Sequence, residues 1–253
     1  KILNILQEKG GLSLTSGTGV TIPEGYSITE IAELLQDKGI CSKHSFTKAA
    51  LNGKNPEFSE KYYFVKELPI DSLEGYLFPD TYMIPKNSSA NFVIDLMLKR
   101  FNTVIGPFRP EIAQNKLGLH KLLTLASIVE KEAVSPTERA LIAGVYMNRL
   151  KKWMYLESCP TVKYALGRPR MPYLLYKHLN VVSPYNTYRR FGLPPGPIAS
   201  PGIASIKAAL RPEKTDYLFF VAKGDGTQIF TTSYAEHISA QEKLRAENQG
   251  KIY

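Results

Sequence analysis

Cysteine, acidic charge and long hydrophobic runs are all scarce in this sequence, and each scarcity excludes something. The 253 residues hold only two cysteines, Cys41 and Cys159. They lie far apart, with no CxxC and no His or Cys at ligand spacing, which argues against a metal site. A single disulfide is chemically allowed, but two unpaired, partly buried thiols are the more ordinary reading, so the redox compartment is not fixed. No uninterrupted apolar run approaches the roughly 18 residues of a membrane span. The first residue is Lys1 rather than Met, so a soluble fragment of a longer protein is expected. Low-complexity tracts and internal repeats are also missing. At 43% hydrophobic residues, the chain can bury the core of one large domain or two smaller ones. Asp and Glu number 23 against 32 Lys and Arg, giving a net charge of +9. That excess fits an anionic partner, whether a membrane surface, an acidic polymer or nucleic acid, and fits ordinary solubility equally well. The basic residues are scattered, and no nucleic-acid motif accompanies them.

Punctuation along the chain predicts an α+β fold. Ser27 with Glu30 three places on forms a capping box for an amphipathic helix from Ile28 to Lys38, stopped by Gly39. A second helix is expected from Ser42 to Leu51, and with the short strand before them these make a small module. Tyr62 to Lys66 reads as a strand. Leu73 to Tyr82, aromatic and broken by Gly and Pro, reads as a rigid loop or edge strand carrying the carboxylate Glu74. A helix follows from Ala90 to Phe101, then a break at Gly106 to Pro110. Leu119 to Ala133 is helical. Ser135, Pro136 and Glu138 supply an N-cap, an N1 proline and an N3 acid for a helix running to about Lys152. Beyond a loop region rich in Pro and Tyr comes a short helix from Pro201 to Leu210. Tyr217 to Ala222 and Gln228 to Thr232, split by Gly224-Asp225-Gly226, form a β-hairpin. Ser233 and Glu236 cap a closing helix. The division expected is a module over 1–70 and a larger domain over 71–253, with 71–110 as a connecting segment.

At about 100° per residue, the helix from Leu119 to Ala133 gathers Leu119, Leu122, Leu125, Ala126, Val129 and Ala133 into one apolar arc. Glu130 falls inside the arc, Glu132 at its edge, and Lys131 opposite. A carboxylate at such a margin, in a last helical turn, is partly desolvated and faces the carbonyl end of the dipole. Both effects raise its pKa, as a general acid working near neutral pH requires. The plainer assignment pairs one glutamate with Arg139 and leaves the other as a solvated acid, and helical position alone favours it.

Leu73 to Tyr82 (LEGYLFPDTY), Ala126 to Glu132 (ASIVEKE), Glu138-Arg139, Asn148-Arg149-Leu150, Pro160-Thr161-Val162, Ser183 to Tyr188 (SPYNTY) and Gly192 to Ile198 (GLPPGPI) occur in this order. Together they resemble the YceG-like endolytic murein transglycosylase family from about Val20 to His237. The small N-terminal module is LysM-like in outline, though on pattern alone an α+β module with no ligand is as ordinary a reading, and the resemblance implies a lysozyme-like lytic transglycosylase domain ending in the β-hairpin and helix. It implies a lyase acting on peptidoglycan, with Glu132 as its catalytic acid and Glu130 or Glu74 as supporting or alternative acids. Asn148, Ser158, Thr161, Tyr185, Asn186 and Tyr188 are the residues expected to bind substrate, the tyrosines by stacking on sugars and the amides by bonding N-acetyl groups. For each of these, packing or backbone bonding is the ordinary alternative. The chain departs from the pattern at Ala133, where related lytic enzymes often carry Ser or Thr, and at Glu157 and Cys159, where the family usually has Gln and Asp.

In the mechanism implied, protonated Glu132 donates to the glycosidic oxygen between MurNAc and GlcNAc. As carboxylate it then takes the C6 hydroxyl proton while that oxygen closes a 1,6-anhydro ring. Neither a metal nor an organic cofactor is needed. The expected partners are nascent glycan strands and cell-wall synthesis proteins, without nucleic acid. An upstream single-pass anchor in the cytoplasmic membrane would place this chain on the periplasmic side. A hydrolytic muramidase and a non-catalytic peptidoglycan-binding module are the competing readings.

Overall fold

The computed structural model describes residues 17–248. Residues 1–16 of the expected module and 249–253 of the expected larger domain lie outside them. The fold is α+β, mainly helical, with two small antiparallel sheets.

The first strand, β1 (Thr18–Thr21), leads to α1 (Ile28–Asp37), α2 (Lys43–Ala50), and the single-turn helices α3 (Pro56–Ser59) and α4 (Tyr63–Lys66). The capping box forms as predicted: Ser27 Oγ accepts from Glu30 N, and Glu30 Oε2 accepts from Ser27 N at 2.9 Å. Gly39 takes φ +68°, a conformation open to glycine at no steric cost. The expected strand over 62–66 is instead α4. Phe64 and Val65 are adjacent and both buried, which a helical turn allows and a strand, sending neighbours to opposite faces, does not.

Strand β2 (Thr81–Ile84) pairs with β1, Val20 lying opposite Tyr82. The sheet thus takes one strand from each side of residue 70, and a single buried core continues from Val20 to Leu210. The turn before β2 holds Gly75 at φ +82°, where a Cβ would meet Pro197 at 2.4 Å, so 73–78 packs directly on the proline-rich segment far along the chain.

Helix α5 (Ala90–Ile105) packs on α2, and α6 (Arg109–Gln114) leads into α7 (Gly118–Glu132). α7 is the central helix. Every residue from Leu122 to Val129 is buried, because α8 (Arg139–Lys151), α9 (Cys159–Ala165), α10 (Ile203–Leu210) and α6 all pack around it. The one-sided apolar arc is therefore corrected to a helix buried on all sides along its middle. Lys131, placed opposite that arc, reaches back to the N-terminal part of the chain, its ammonium donating to Gly25 O at 3.1 Å.

The corner before α8 also differs from expectation. Its first turn is a 3-10 turn, Ser135 makes no capping bond, and its hydroxyl pairs with Thr137 Oγ1 at 2.8 Å. Glu138 accepts instead from Gln228 N at 3.1 Å, so its carboxylate holds the hairpin rather than reaching back to the cap. The hairpin itself, β3 (Phe219–Ala222) with β4 (Gln228–Thr231), forms where predicted. The closing helix α11 (Tyr234–Asn248) follows with a reciprocal Ser233–Glu236 cap. No described helix is long and apolar enough to cross a membrane.

Candidate active site

The C-terminal end of α7, the middle of α8, the start of α9, the hairpin and α11 surround a cleft of about 860 Å³. Glu132 lies on its wall. Ser158 Oγ donates to Glu132 Oε1 at 2.8 Å, and Tyr146 from α8 donates its phenol to the same oxygen at 3.0 Å. No described residue hydrogen-bonds Oε2. Burial holds this carboxyl above the usual glutamate range, while the two hydrogen bonds and the charges of Lys163 and Arg149 pull it partly back. With both donors on Oε1, a proton taken up by this carboxyl would sit on Oε2.

Ser158 owes its position to the loop-rich region, where the helix α9 was not foreseen. It occupies the N-cap of α9 but makes no capping bond; its hydroxyl is turned to Glu132 instead. Its backbone is locked by a closed ring of bonds. Ser158 N donates to Thr187 Oγ1 at 3.0 Å, Thr161 Oγ1 donates to Ser158 O at 2.7 Å, and the two threonine hydroxyls pair at 2.8 Å. Asn186 braces the same loop, giving its amide to Leu179 O and Val181 O and accepting from Tyr188 N. Tyr188 lines the cleft with its phenol 3.1 Å from Cys159 Sγ. Both cysteines are free, Cys41 half-buried and Cys159 exposed, so the expectation of two partly buried thiols holds only for Cys41.

The other predicted residues sit elsewhere. Glu130 accepts from Gly202 N at 3.0 Å and faces Arg139 Nη2 at 3.5 Å. Asn148 spends its amide on Thr215 O and Tyr217 O, which fixes the approach to β3. Tyr185 packs on Tyr164, ring centroids 4.9 Å apart. Glu74 is buried at the N-terminus of α1, both oxygens accepting from Ile28 N and Oε2 also from the Tyr164 phenol.

Sequence reasoning did not find Tyr146 or the task of Arg149. The guanidinium of Arg149 is buried and donates to Leu218 O, Tyr155 O, Leu156 O and Glu157 Oε2. It thereby fastens the segment before Ser158 to β3. Tyr146 and Arg149 are three residues apart on one helix face, a spacing that would have linked them once Arg149 was placed in the site.

A sequence model of the YceG-like family matches residues 1–243. The chain is 42% identical over 244 residues to an endolytic murein transglycosylase of Bacillus subtilis, covering 91% of this chain and 67% of that protein. It is 35% identical over 236 residues to an endolytic murein transglycosylase of Streptococcus pneumoniae, covering 86% of this chain and 43% of the relative's length. Among solved structures, a YceG-like protein from Listeria monocytogenes superposes with a TM-score of 0.78 at 38% identity, over 94% of this chain and 80% of that one.

Proposed function

Because the chain belongs to the YceG-like family, we propose that it is an endolytic murein transglycosylase, a lyase that cuts peptidoglycan glycan strands with Glu132 as its acid. The observation that supports this reading most directly is the pair of donors on Glu132 Oε1, with Oε2 bonded by none of the described residues on the wall of a cleft. The acid donates its Oε2 proton to the glycosidic oxygen as the C1–O bond of the muramoyl residue breaks. The resulting carboxylate takes the proton from the C6 hydroxyl while O6 bonds to C1. One proton leaves Glu132 and one returns, the product ends in a 1,6-anhydro ring, and no water is consumed. Ser158 and Tyr146 hold the carboxyl in place through both steps and stabilise its ionised form between them.

The reading extends to the rest of the chain. The strand-and-helix unit built on α1 and α2 serves as a LysM-like module and the helices around α7 as a lysozyme-like domain. Cell-wall synthesis proteins are its partners, and an anchor in the cytoplasmic membrane holds it on the outer side. The test is incubation with long uncrosslinked glycan strands, followed by mass spectrometry and separation by chain length. Internal cuts with anhydro ends at early times are expected. Reducing ends would make the enzyme a hydrolase, disaccharides released steadily from one end would make it exolytic, and intact strands would leave a binding module.

A further inference from the structure

A second hollow, of about 550 Å³, lies at the opposite end of α7 and is walled by Leu117, Leu150, Leu193, Pro194 and Pro195. Trp153, the only tryptophan in the chain, stands at its edge and is 82% exposed. Its backbone has φ +55°, a left-handed conformation that a bulky residue adopts only against steric strain. That φ belongs to the cap that ends α8, where Trp153 N donates to Leu150 O and Met154 N to Arg149 O, and the cap leaves the indole standing exposed at the rim of the hollow.

The hollow and the catalytic cleft are joined by one stretch of chain. Trp153 and Met154 line the first, Leu156 and Glu157 line the second, and Glu157 too has a positive φ, +51°. Between them Tyr155 stacks on Phe191 at 3.8 Å and bridges to it, while Arg149 grips the carbonyls of Tyr155 and Leu156. The segment 153–157 is thus anchored at Tyr155, Leu156 and Glu157, with a ring presented at one end and a carboxylate at the other. Lys121, on the wall of the hollow, and Glu132, on the wall of the cleft, are separated along α7 by roughly 16 Å of helical rise, a length that several sugars of one strand would span. An apolar floor, an open indole face and the Lys121 ammonium match the two-sided chemistry of a pyranose, with C–H groups for the ring and hydroxyl or acetamide oxygens for the donor.

Resting on the glycan-cleaving reading above, we propose that the hollow beside Trp153 is a distal glycan subsite, where an N-acetylhexosamine of the strand stacks on the indole while the cleft engages the bond to be cut. It fixes how long a strand must be to bind well and takes no part in the chemistry.

A single tryptophan makes the site directly observable. Titration with chitohexaose should give a saturable blue shift and intensity change in the emission of Trp153, matching the binding curve from calorimetry. Trp153→Gly removes the ring and relieves the positive φ, so its Tm should stay equal or rise. Its KM for long strands should rise about tenfold, with kcat unchanged and the shortest cleavable strands unaffected; Trp153→Tyr should recover much of the loss. Chitohexaose binding with silent tryptophan emission, or an unchanged KM in Trp153→Gly, overturns the subsite while leaving the cleft reading intact. Absence of both chitohexaose binding and strand cleavage would remove the cleft reading itself, and the subsite with it. Lys151 and Lys152 are exposed beside the indole, so vesicles of anionic phospholipid are the second probe. Emission that responds to vesicles and not to sugar would assign the ring to a lipid surface and overturn the proposal.

Discussion

Glu132 and Glu74 are both carboxyls lifted by burial, Glu74 to about 8, yet their surroundings differ in the one respect that matters for chemistry. At Glu74 the Ile28 N–H lies within bonding distance of both oxygens and the Tyr164 phenol takes Oε2. Every lone pair that could meet a substrate is turned inward, and the group ties the turn 73–78 to α1 and α9. At Glu132 both donors crowd onto Oε1, and no described residue bonds the other oxygen. A raised pKa therefore does not single out an acid catalyst by itself; what separates the two carboxyls is that, among the described residues, none bonds Glu132 Oε2. The family resemblance pointed to Glu132 without this geometry, and left Glu74 open between a second groove carboxylate and a buried acid bonded to backbone amides; its bonds to Ile28 N match the second.

The sharpest way to break this contrast is to neutralise each carboxyl in turn. Glu132→Gln keeps the shape and removes the titrating proton, so strand cleavage should fall by roughly 10³-fold or more with little change in Tm. Residual activity near wild type would return the acid role to another carboxyl. Glu74→Gln should do the reverse. Its amide sets an N–H₂ group against donors, costing roughly 1 to 3 kcal/mol of stability, while kcat at a temperature where it is folded stays within a few-fold of wild type. Loss of activity without loss of stability would show that Glu74 does reach substrate.

The same variant carries a pH signature. A carboxyl whose folded pKa is about 8 against an ordinary 4.5 binds its proton more tightly in the folded protein than in the unfolded chain. Its contribution to stability is then full below pH 4.5 and is lost as pH rises towards 8. Melting curves between pH 5 and 8 should flatten in Glu74→Gln relative to wild type. Identical slopes would mean that Glu74 is ionised in the fold throughout that range.

Glu130 sharpens the contrast from within the same helical turn as Glu132. Facing Arg139 and bonded to Gly202 N, it fixes the corner between α7 and α10. Glu130→Gln keeps the backbone bond and loses the charge, so a loss of about 1 kcal/mol with partial activity is expected, by chemical denaturation and a cleavage assay. Full stability with no cleavage would reverse the two roles.

How far these sites were legible in the sequence depended on how local their signals were. The capping boxes at Ser27 and Ser233 and the hairpin around Gly224-Asp225-Gly226 rest on contacts within a few residues, and they read correctly; the surroundings of Glu132 come from Tyr146 and Ser158, far along the chain, and did not. Tyr62 to Lys66 did not, because aromatic and β-branched residues mark a strand only when tertiary packing agrees, and here α4 buries neighbours together. The substrate list drawn from the family motifs was legible as a list but not as geometry. Thr161 and Asn186 are spent behind Ser158, and Asn148 on the approach to β3, because hydroxyl and amide donors in a loop are claimed first by unpaired backbone groups. Tyr146 stayed hidden since a tyrosine among apolar residues looks like core until its phenol is seen to meet a carboxylate.

The finest test addresses the two donors on Glu132. A hydrogen bond to a carboxylate favours the charged form, so Ser158 and Tyr146 each hold the pKa of Glu132 below where burial alone would set it. Ser158→Ala removes one donor, the folded pKa moves further up, and the acid remains protonated to higher pH. The alkaline limb of the kcat/KM profile should accordingly shift to higher pH, while the maximal rate drops only severalfold, because Tyr146 still orients the carboxyl. Tyr146→Phe should shift the limb in the same direction. It should also lower stability more, since the ring is wholly buried against Phe220 and the mutation leaves Glu132 with a single donor in the same enclosed wall. An alkaline limb that stays in place in both variants would mean that the ionisation controlling the rate belongs to a group other than Glu132. A limb that moves to lower pH would mean that these hydroxyls stabilise the protonated form, accepting from Oε2 rather than donating to Oε1, and the proton to be transferred would then be engaged with the protein rather than aimed at the glycosidic oxygen.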